Sequence, residues 1–339
     1  MADPLDRYKE FYVEIHGPGD QRPTALKIID DEGLVNKWTD KVVLVTGGTS
    51  AVGLETARAL HATGAHIYIT ARDTKKADAA VEHILKNSVG KGPVDVIYMD
   101  MTSLDSVKKA AADFLAKSDK LNVLVCNAGI MGTPKLQTAD GFEMQFGVNH
   151  LAHFTLTALL LPALLRSSTP AFNSRVVAVS SSSHRYSSVH LDDVNLTASY
   201  DPYLAYGQSK TANIWMALRL ERLYGGRGVH ALSLHPGGIW SGLQKYADPV
   251  LVEQWKEDQE TMVLMMTPEQ GAATSVWAAA AAAWEGKGGK YLTNCSVAPP
   301  AESMTSALEV GYAPHAYDEE GAAKLWELSE KLTGVSAPE

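Results

Sequence analysis

From Lys41 onward, short apolar runs alternate with helical stretches, and no other feature of this 339-residue chain restricts its fold as much. The runs are Val42–Val45, 67–69, 94–99, Val123–Cys126, 175–179 and Val229–Leu234, with 290–292 as a seventh candidate strand. Helical stretches follow over 54–63, from Arg72 to Lys86, from a Thr102 or Ser103 cap to Lys117, and over 141–167 and 203–224. The runs are apolar on both faces, so the strands must be covered on both sides. This predicts an α/β fold: a doubly wound parallel sheet of about seven strands, helices on both faces, in a single domain. An Ala-rich stretch over 268–284 reads as an alanine helix, and 319–332 as a helix in the tail. Residues 1–40 are polar, with Gly17, Pro18, Gly19 and Pro23, and read as a loose arm with one short helix docked on the domain.

Composition narrows the class. With 45% hydrophobic and 20% charged residues the chain is globular. Its 30 basic and 39 acidic residues give a net charge of −9, which argues against nucleic acid as a partner. Two cysteines make no disulfide framework, and Cys126 ends an apolar run, as expected in a reducing, cytoplasmic setting. The opening MADPLDRYKE lacks the basic start and apolar stretch of a signal peptide. The apolar stretch over 154–165 is short for a bilayer and contains Pro162, so no integral membrane segment is expected. The eleven histidines form no tight ligand cluster, so no metal is expected.

The turn over 46–53 (TGGTSAVG) joins the first strand to the first helix. Gly47 and Gly53 let backbone approach a ligand closely. Thr49, Ser50, Ala51 and Val52 lead into a helix N-terminus, whose free N–H groups and dipole suit a pyrophosphate. An ordinary Gly-rich strand–helix turn would look the same. The second strand ends Thr70-Ala71-Arg72, without the carboxylate that would accept a ribose 2′-hydroxyl. Ala71 leaves space and Arg72 a cation for a 2′-phosphate, unless Arg72 is a plain surface residue or pairs with Asp73. Lys75 is a second cation nearby, on what reads as a solvated helix face.

Tyr206 and Lys210 lie four residues apart on a helix, so phenol and ammonium share one face. An ordinary tyrosine titrates near pH 10, and an adjacent cation would bring it toward neutrality for acid–base work. The fifth strand runs into Ser180-Ser181-Ser182-Ser183, so a hydroxyl lies at its carboxyl end, where ligands bind in such sheets. Taken alone, a Tyr/Lys pair and a Ser-rich turn are both common.

In this order the motifs resemble the short-chain dehydrogenase/reductases, most closely their retinol-dehydrogenase-like and WW-domain-oxidoreductase-like branch, without WW modules. The resemblance implies a Rossmann fold, an NADP(H)-binding catalytic domain over 41–295, an N-terminal extension (1–40) and a tail (296–339). It implies that Asp100 and Met101 border the adenine, and that Asn127, Ala128 and Gly129 stabilise the sheet beside the adenine ribose. Asn149 would support a proton path toward Lys210. Ser181 would hold the substrate oxygen, Tyr206 would be the acid/base, and Lys210 would lower its pKa and hold the nicotinamide ribose. Pro236, Gly237 and Ile239 would form the nicotinamide loop, with Ser241 near the pyrophosphate. Ala51 departs from the pattern, standing where glycine is common, and Cys126 stands where asparagine is frequent. The span between Ser181 and Tyr206 is long and carries His184, Arg185, Tyr186 and His190, which would overhang the substrate or lie on a surface loop.

A substrate lid is expected over about 240–267, with Trp240, Leu243, Tyr246, Trp255, Met262, Leu264, Met265 and Met266. These residues suit a bulky hydrophobic carbonyl or alcohol, or they pack one helix on the domain. The expected activity is NADP(H)-dependent reduction of a ketone or aldehyde. The alternatives are a non-catalytic NADP(H)-binding scaffold and a lyase or epimerase on the same fold. In relatives the helices over 141–167 and 203–224 carry homodimer contacts, which the arm or tail of this chain could cover.

Overall fold

The structure, a computed structural model, describes residues 4–305 and 309–338. Six strands build the centre of the sheet: β1 (Val42–Val45), β2 (His66–Ala71), β3 (Val94–Tyr98), β4 (Val123–Cys126), β5 (Ser174–Val179) and β6 (Val229–Leu234). All six are parallel, in register pairs such as Val45↔Ile69 and Val45↔Val125. After β6 come a short ribbon, β7 (Gly238–Ile239) with β8 (Met265–Met266), and then β9 (Tyr291–Thr293) and β10 (Ser296–Val297). The sheet order is β10-β9-β6-β5-β4-β1-β2-β3. It has eight strands rather than about seven. The additional β10 returns antiparallel on β9 across Asn294 and Cys295, both at positive φ (52° and 49°), as a two-residue hairpin turn requires. A two-residue strand is too short to leave a periodic signal in the sequence.

Strand residues alternate between two helical layers, as a period of two dictates. Val43 and Val45 face one side with Leu60 of α2 (Ala51–His61) and Trp277 of α11 (Ala273–Ala280). Leu44 faces the other, with Phe114 of α4 (Leu104–Lys117), Leu161 of α6 (Ala152–Ser167) and Met216 of α7 (Pro202–Tyr224). The continuous helix Met144–Ser167 is long and apolar enough to cross a membrane, which corrects the shorter sequence estimate, but 83% of its apolar window is buried inside the protein. Its composition is that of a core helix.

The arm is part of this core rather than loose. Thr24 caps α1 (Ala25–Asp31), whose Ile28 and Ile29 are fully buried against α11 together with Tyr8 and Trp38. Burying each isoleucine contributes roughly 1.5–3 kcal/mol, enough to order the segment around it. At the other end, α12 (Glu319–Thr333) starts at an Asp318 cap and stops at Gly334, which has φ 66°. Its Ala322 and Leu325 pack with Trp215 of α7, and Trp326 meets Phe154 of α6 edge-on at 4.9 Å. The tail therefore covers part of the helix face assigned above to a second copy.

Candidate active site

The sheet order reverses between β1 and β4, and the crevice beyond their carboxyl ends is where such sheets take ligands. The turn after β1 is shaped by contacts that only glycine allows. Gly47 has φ 65°, and a Cβ there would lie 3.0 Å from Ala128 Cα. A Cβ on Gly53 would meet Gly47 O and Asn127 Nδ2, both at 2.4 Å. Thr49 is half-buried, Val52 likewise, and the exposed Ser50 makes no side-chain cap bond to α2. Ala51 carries φ 44°, a conformation that costs a non-glycine residue about 1–2 kcal/mol. The departure from glycine noted in the sequence thus stores local strain.

Thr46 is the hub of this region, and the sequence reading missed it. Its hydroxyl accepts from the amides of Asn127 (2.9 Å) and Ala128 (3.0 Å) and donates to His153 Nε2 (2.8 Å). That direction follows because His153 Nδ1 donates to the Asn149 carbonyl (2.8 Å). Burial pushes His153 down to about 4, so the ring stays neutral. The available signal was position: His153 is four residues beyond Asn149, on the same helix face.

Arg72 follows β2 and is exposed, with no ion pair among the described residues. Asp73 does not pair with it, because the Asp73 carboxylate caps α3 (Thr74–Asn87) by accepting from the Lys76 amide at 3.0 Å. Asp100 accepts from the amide and hydroxyl of Thr102, both at 2.9 Å, and fixes the turn after β3. Met101 is buried in the core layer beneath.

The reacting centre lies on the β4–β5 side. Asn149 stands in a π-turn, Gly147–Leu151, between α5 (Met144–Phe146) and α6. Its Oδ1 accepts from the Ile130 amide, and its Nδ2 donates to the Ile130 carbonyl and to Ser209 Oγ, all at 2.9 Å. The amide thereby locks the segment after Gly129 to α7. A Cβ on Gly129 would lie 3.3 Å from Asn149 Oδ1 and 3.4 Å from Lys210 Nζ, so the three meet at one point.

Among the serines the structure distinguishes Ser181. Ser180 donates to the Lys210 carbonyl at 2.7 Å, whereas the Ser181 hydroxyl accepts from the Ser183 amide at 3.1 Å and lies on the Tyr206 side, where it favours the ionised phenol. Tyr206 and Lys210 come from the buried second and third turns of α7, which Asp201 caps and Pro202 opens. Lys210 Nζ lies 5.5 Å from the Tyr206 ring centroid and donates to the Val179 carbonyl at 3.1 Å. Burial pushes Tyr206 up to about 12, and Ser181 offsets this only in part. Burial also pushes Lys210 down to about 8. The expected lowering of Tyr206 by Lys210 is not produced by these residues on their own. The ammonium is directed at Val179, and desolvation outweighs the effect of Ser181. At neutral pH the phenol holds its proton.

Pro236 and Gly237 lead into β7, and Gly237 has φ 95°. Met266 fills the space where a Gly237 side chain would be, with its Cε 1.7 Å from an ideal Cβ position. The Ile239 carbonyl accepts from Gln244 Nε2 (2.9 Å), and Ser241 accepts from the Leu243 amide (3.2 Å) as the cap of a short 3₁₀ turn. In the lid, α8 (Pro249–Glu257) and α9 (Gln259–Leu264) bury no residue, while Met265 and Met266 are buried. Trp255, Met262 and Leu264 are half-buried, so the two lid helices rest on the domain without entering its core.

His184 and Arg185 neither overhang the substrate nor lie on the surface. His184 is fully buried, donates from Nδ1 to the Ser181 carbonyl (2.7 Å) and accepts from the Ala313 amide (3.1 Å). Arg185 donates to the carbonyls of Glu309 and Gly311. Both hold the tail against Ser181. Tyr186 and His190 are exposed.

A doubly wound sheet with a glycine-lined crevice, and with serine, tyrosine and lysine converging beside it, defines a short-chain dehydrogenase. The family model "short chain dehydrogenase" matches residues 41–250, and the chain belongs to that family, in its retinol-dehydrogenase-like branch. It is 47% identical to short-chain dehydrogenase/reductase prx1 of Penicillium rubens, over 99% of this chain and 100% of that protein. It is 36% identical to human retinol dehydrogenase 14, over 94% and 92% of the two chains. The Pseudomonas aeruginosa RhlG/NADP active-site complex superposes with a TM-score of 0.59 at 25% identity, covering 74% of this chain and 93% of RhlG. The protein is thus placed among nicotinamide-using oxidoreductases of CH–OH and C=O groups.

Proposed function

We propose that the protein is an NADP(H)-dependent reductase that converts a ketone or aldehyde of a bulky hydrophobic substrate to the alcohol. The observation that carries this reading is the meeting of Ser181 at the end of β5 with Tyr206 and Lys210 on one face of α7, where burial keeps the phenol protonated at neutral pH. The residues fit the cofactor: the turn after β1 opens onto the N-terminus of α2, which no side chain caps, and Arg72 is an exposed cation without an ion-pair partner among the described residues. Arg72 supports NADP(H) over NAD(H), and the NADP complex of RhlG is consistent with it.

When bound, the reduced nicotinamide supplies hydride to the carbonyl carbon. Ser181 holds the carbonyl oxygen, and Tyr206 donates its proton to that oxygen as charge develops there. Lys210, a cation below about pH 8, stabilises the resulting phenolate until it is reprotonated. Asn149 and His153 keep the segment after Gly129 and the turn at Thr46 in register with Lys210. The half-buried apolar side chains of the lid, and the retinol dehydrogenase relative, support a bulky hydrophobic substrate. A cytoplasmic site of action fits two free, buried cysteines.

The test is a fluorescence titration of NADPH and NADH with the wild type and Arg72→Ala. Expected is a loss of NADPH affinity of about tenfold or more, with NADH affinity little changed. Equal effects on both would reduce Arg72 to a surface cation.

A further inference from the structure

Residues 17–22 of the N-terminal arm reach the returning end of the substrate lid. Arg22 is 4% exposed, and a buried arginine is stable only when its donors are matched. Its Nε donates to Asp20 Oδ1 at 2.8 Å, Nη1 to the Leu264 carbonyl at 2.9 Å, and Nη2 to the carbonyls of Gly17 (3.0 Å) and Met265 (2.6 Å). One planar fork thus joins the arm to two successive carbonyls of the lid, a geometry that an ammonium does not reproduce. Gln270 of α10 (Pro268–Gly271) adds a second tie: its Oε1 accepts from the Gly19 amide at 2.9 Å, and its Nε2 donates to the Asp20 carbonyl at 3.1 Å. Burial pushes the Asp20 carboxyl up, but Arg22 and the amides of His16 and Arg22 outweigh it and hold it at about 2.

The carbonyls gripped in this way lead directly into the nicotinamide loop. Met265 pairs with Gly238 and Met266 with Ile239, and Met266 fills the space beside Gly237. A displacement of residues 264–266 is therefore passed to residues 237–239. Elsewhere the lid has few attachments. Its two helices bury no side chain, and its leading end is tied by Gln244 to the Ile239 carbonyl.

We propose that Arg22, held by Asp20 and Gln270, is a positioning residue of the active site: it fixes the returning end of the lid and so sets how tightly an apolar substrate is enclosed. The N-terminal extension then contributes to substrate affinity although it touches neither Ser181 nor Tyr206. The inference rests on the oxidoreductase reading for its consequence, and on the lid alone for its physical test.

The experiment compares the full-length wild type with Arg22→Lys and with the double variant Asp20→Asn/Arg22→Met, which leaves no unpaired buried charge. Chymotrypsin cleavage after Leu243, Tyr246, Trp255 and Leu264 is followed by mass spectrometry, alongside thermal midpoints. All-trans-retinal with NADPH serves as the kinetic probe. Expected in both variants is lid cleavage faster by about tenfold with other sites unchanged, and a KM raised by about tenfold with kcat within about threefold. Lid cleavage and KM within about twofold of wild type in a folded double variant would overturn the proposal. So would cleavage accelerated evenly along the chain, which would make Arg22 a fold-stabilising residue only. If the wild type binds no NADPH and turns over no retinal, the reductase reading fails, and the cleavage pattern still decides the lid inference.

Discussion

The cofactor turn and the substrate lid meet at Gly271, where an added Cβ would touch both Ile239 and Val52, yet they are held by opposite means. The turn is fixed by main chain against main chain: Gly47 on Ala128, Gly53 on Gly47, and Thr46 bonded to two successive amides. Neither Gly47 nor Gly53 can take a side chain without moving backbone. The lid is two helices with no buried residue, held at their ends by Gln244, by the β7–β8 pairing and by Arg22. Under the proposed function, the rigid part is the one that binds the cofactor, and the part held only at its ends is the one that encloses the substrate.

The largest effect is expected where the two regions converge. Tyr206→Phe keeps the ring and removes the proton, so carbonyl reduction should fall by about 10³-fold. NADPH affinity, measured by titration, should stay within a few-fold, because the turn is untouched. Undiminished turnover would break the assignment of the phenol as the acid.

Acid should separate scaffold from lid next. His150, His153 and His184 are all buried in the scaffold, and burial lowers them to about 3, 4 and 4. Unfolded, each would take up a proton near pH 6.5. Between pH 6.5 and about 4 the unfolded chain therefore binds more protons, and stability falls as pH falls. Each histidine contributes about 1.4 kcal/mol per pH unit across that window. Denaturant midpoints should be level above pH 7 and drop steeply below pH 6. A flat profile down to pH 4 would mean that these rings are not buried and neutral.

The smallest effect tests the turn alone. Gly53→Ala places a methyl within 2.4 Å of Gly47 O, a backbone atom that cannot rotate away. A loss of about 1–3 kcal/mol in unfolding free energy is expected, with weaker NADPH binding. The retinal KM, measured at saturating NADPH, should hardly move. A shift in KM as large as that in NADPH affinity would erase the distinction between the two regions.

The central strands, the flanking helices and the Ser181–Tyr206–Lys210 set were legible because each has a local signature: apolar runs, helical spacing, or a motif at a strand end. What escaped the sequence depends on distant partners. Tyr8, Ile28, Ile29 and Trp38 are scattered among polar residues, and distant partners such as α11 and Phe172 make them core. His184 and Arg185 resemble loop residues until the tail lies across them. The Thr46–His153 bond joins positions 107 residues apart, and its local trace is only the place of His153 one helical turn beyond Asn149. Ala51 was legible as a departure, but its strain required the backbone angle.

The arm's place in the core also bears on how the chain is made. Tyr8, Ile28, Ile29 and Trp38 share a cluster with Trp277, Leu292 and Cys295. At ribosomal rates of about 5–20 residues per second, the arm emerges on the order of tens of seconds before those partners exist. Through that interval its apolar side chains are available to chaperones or to other nascent chains. A segment translated early is among the last to find shelter.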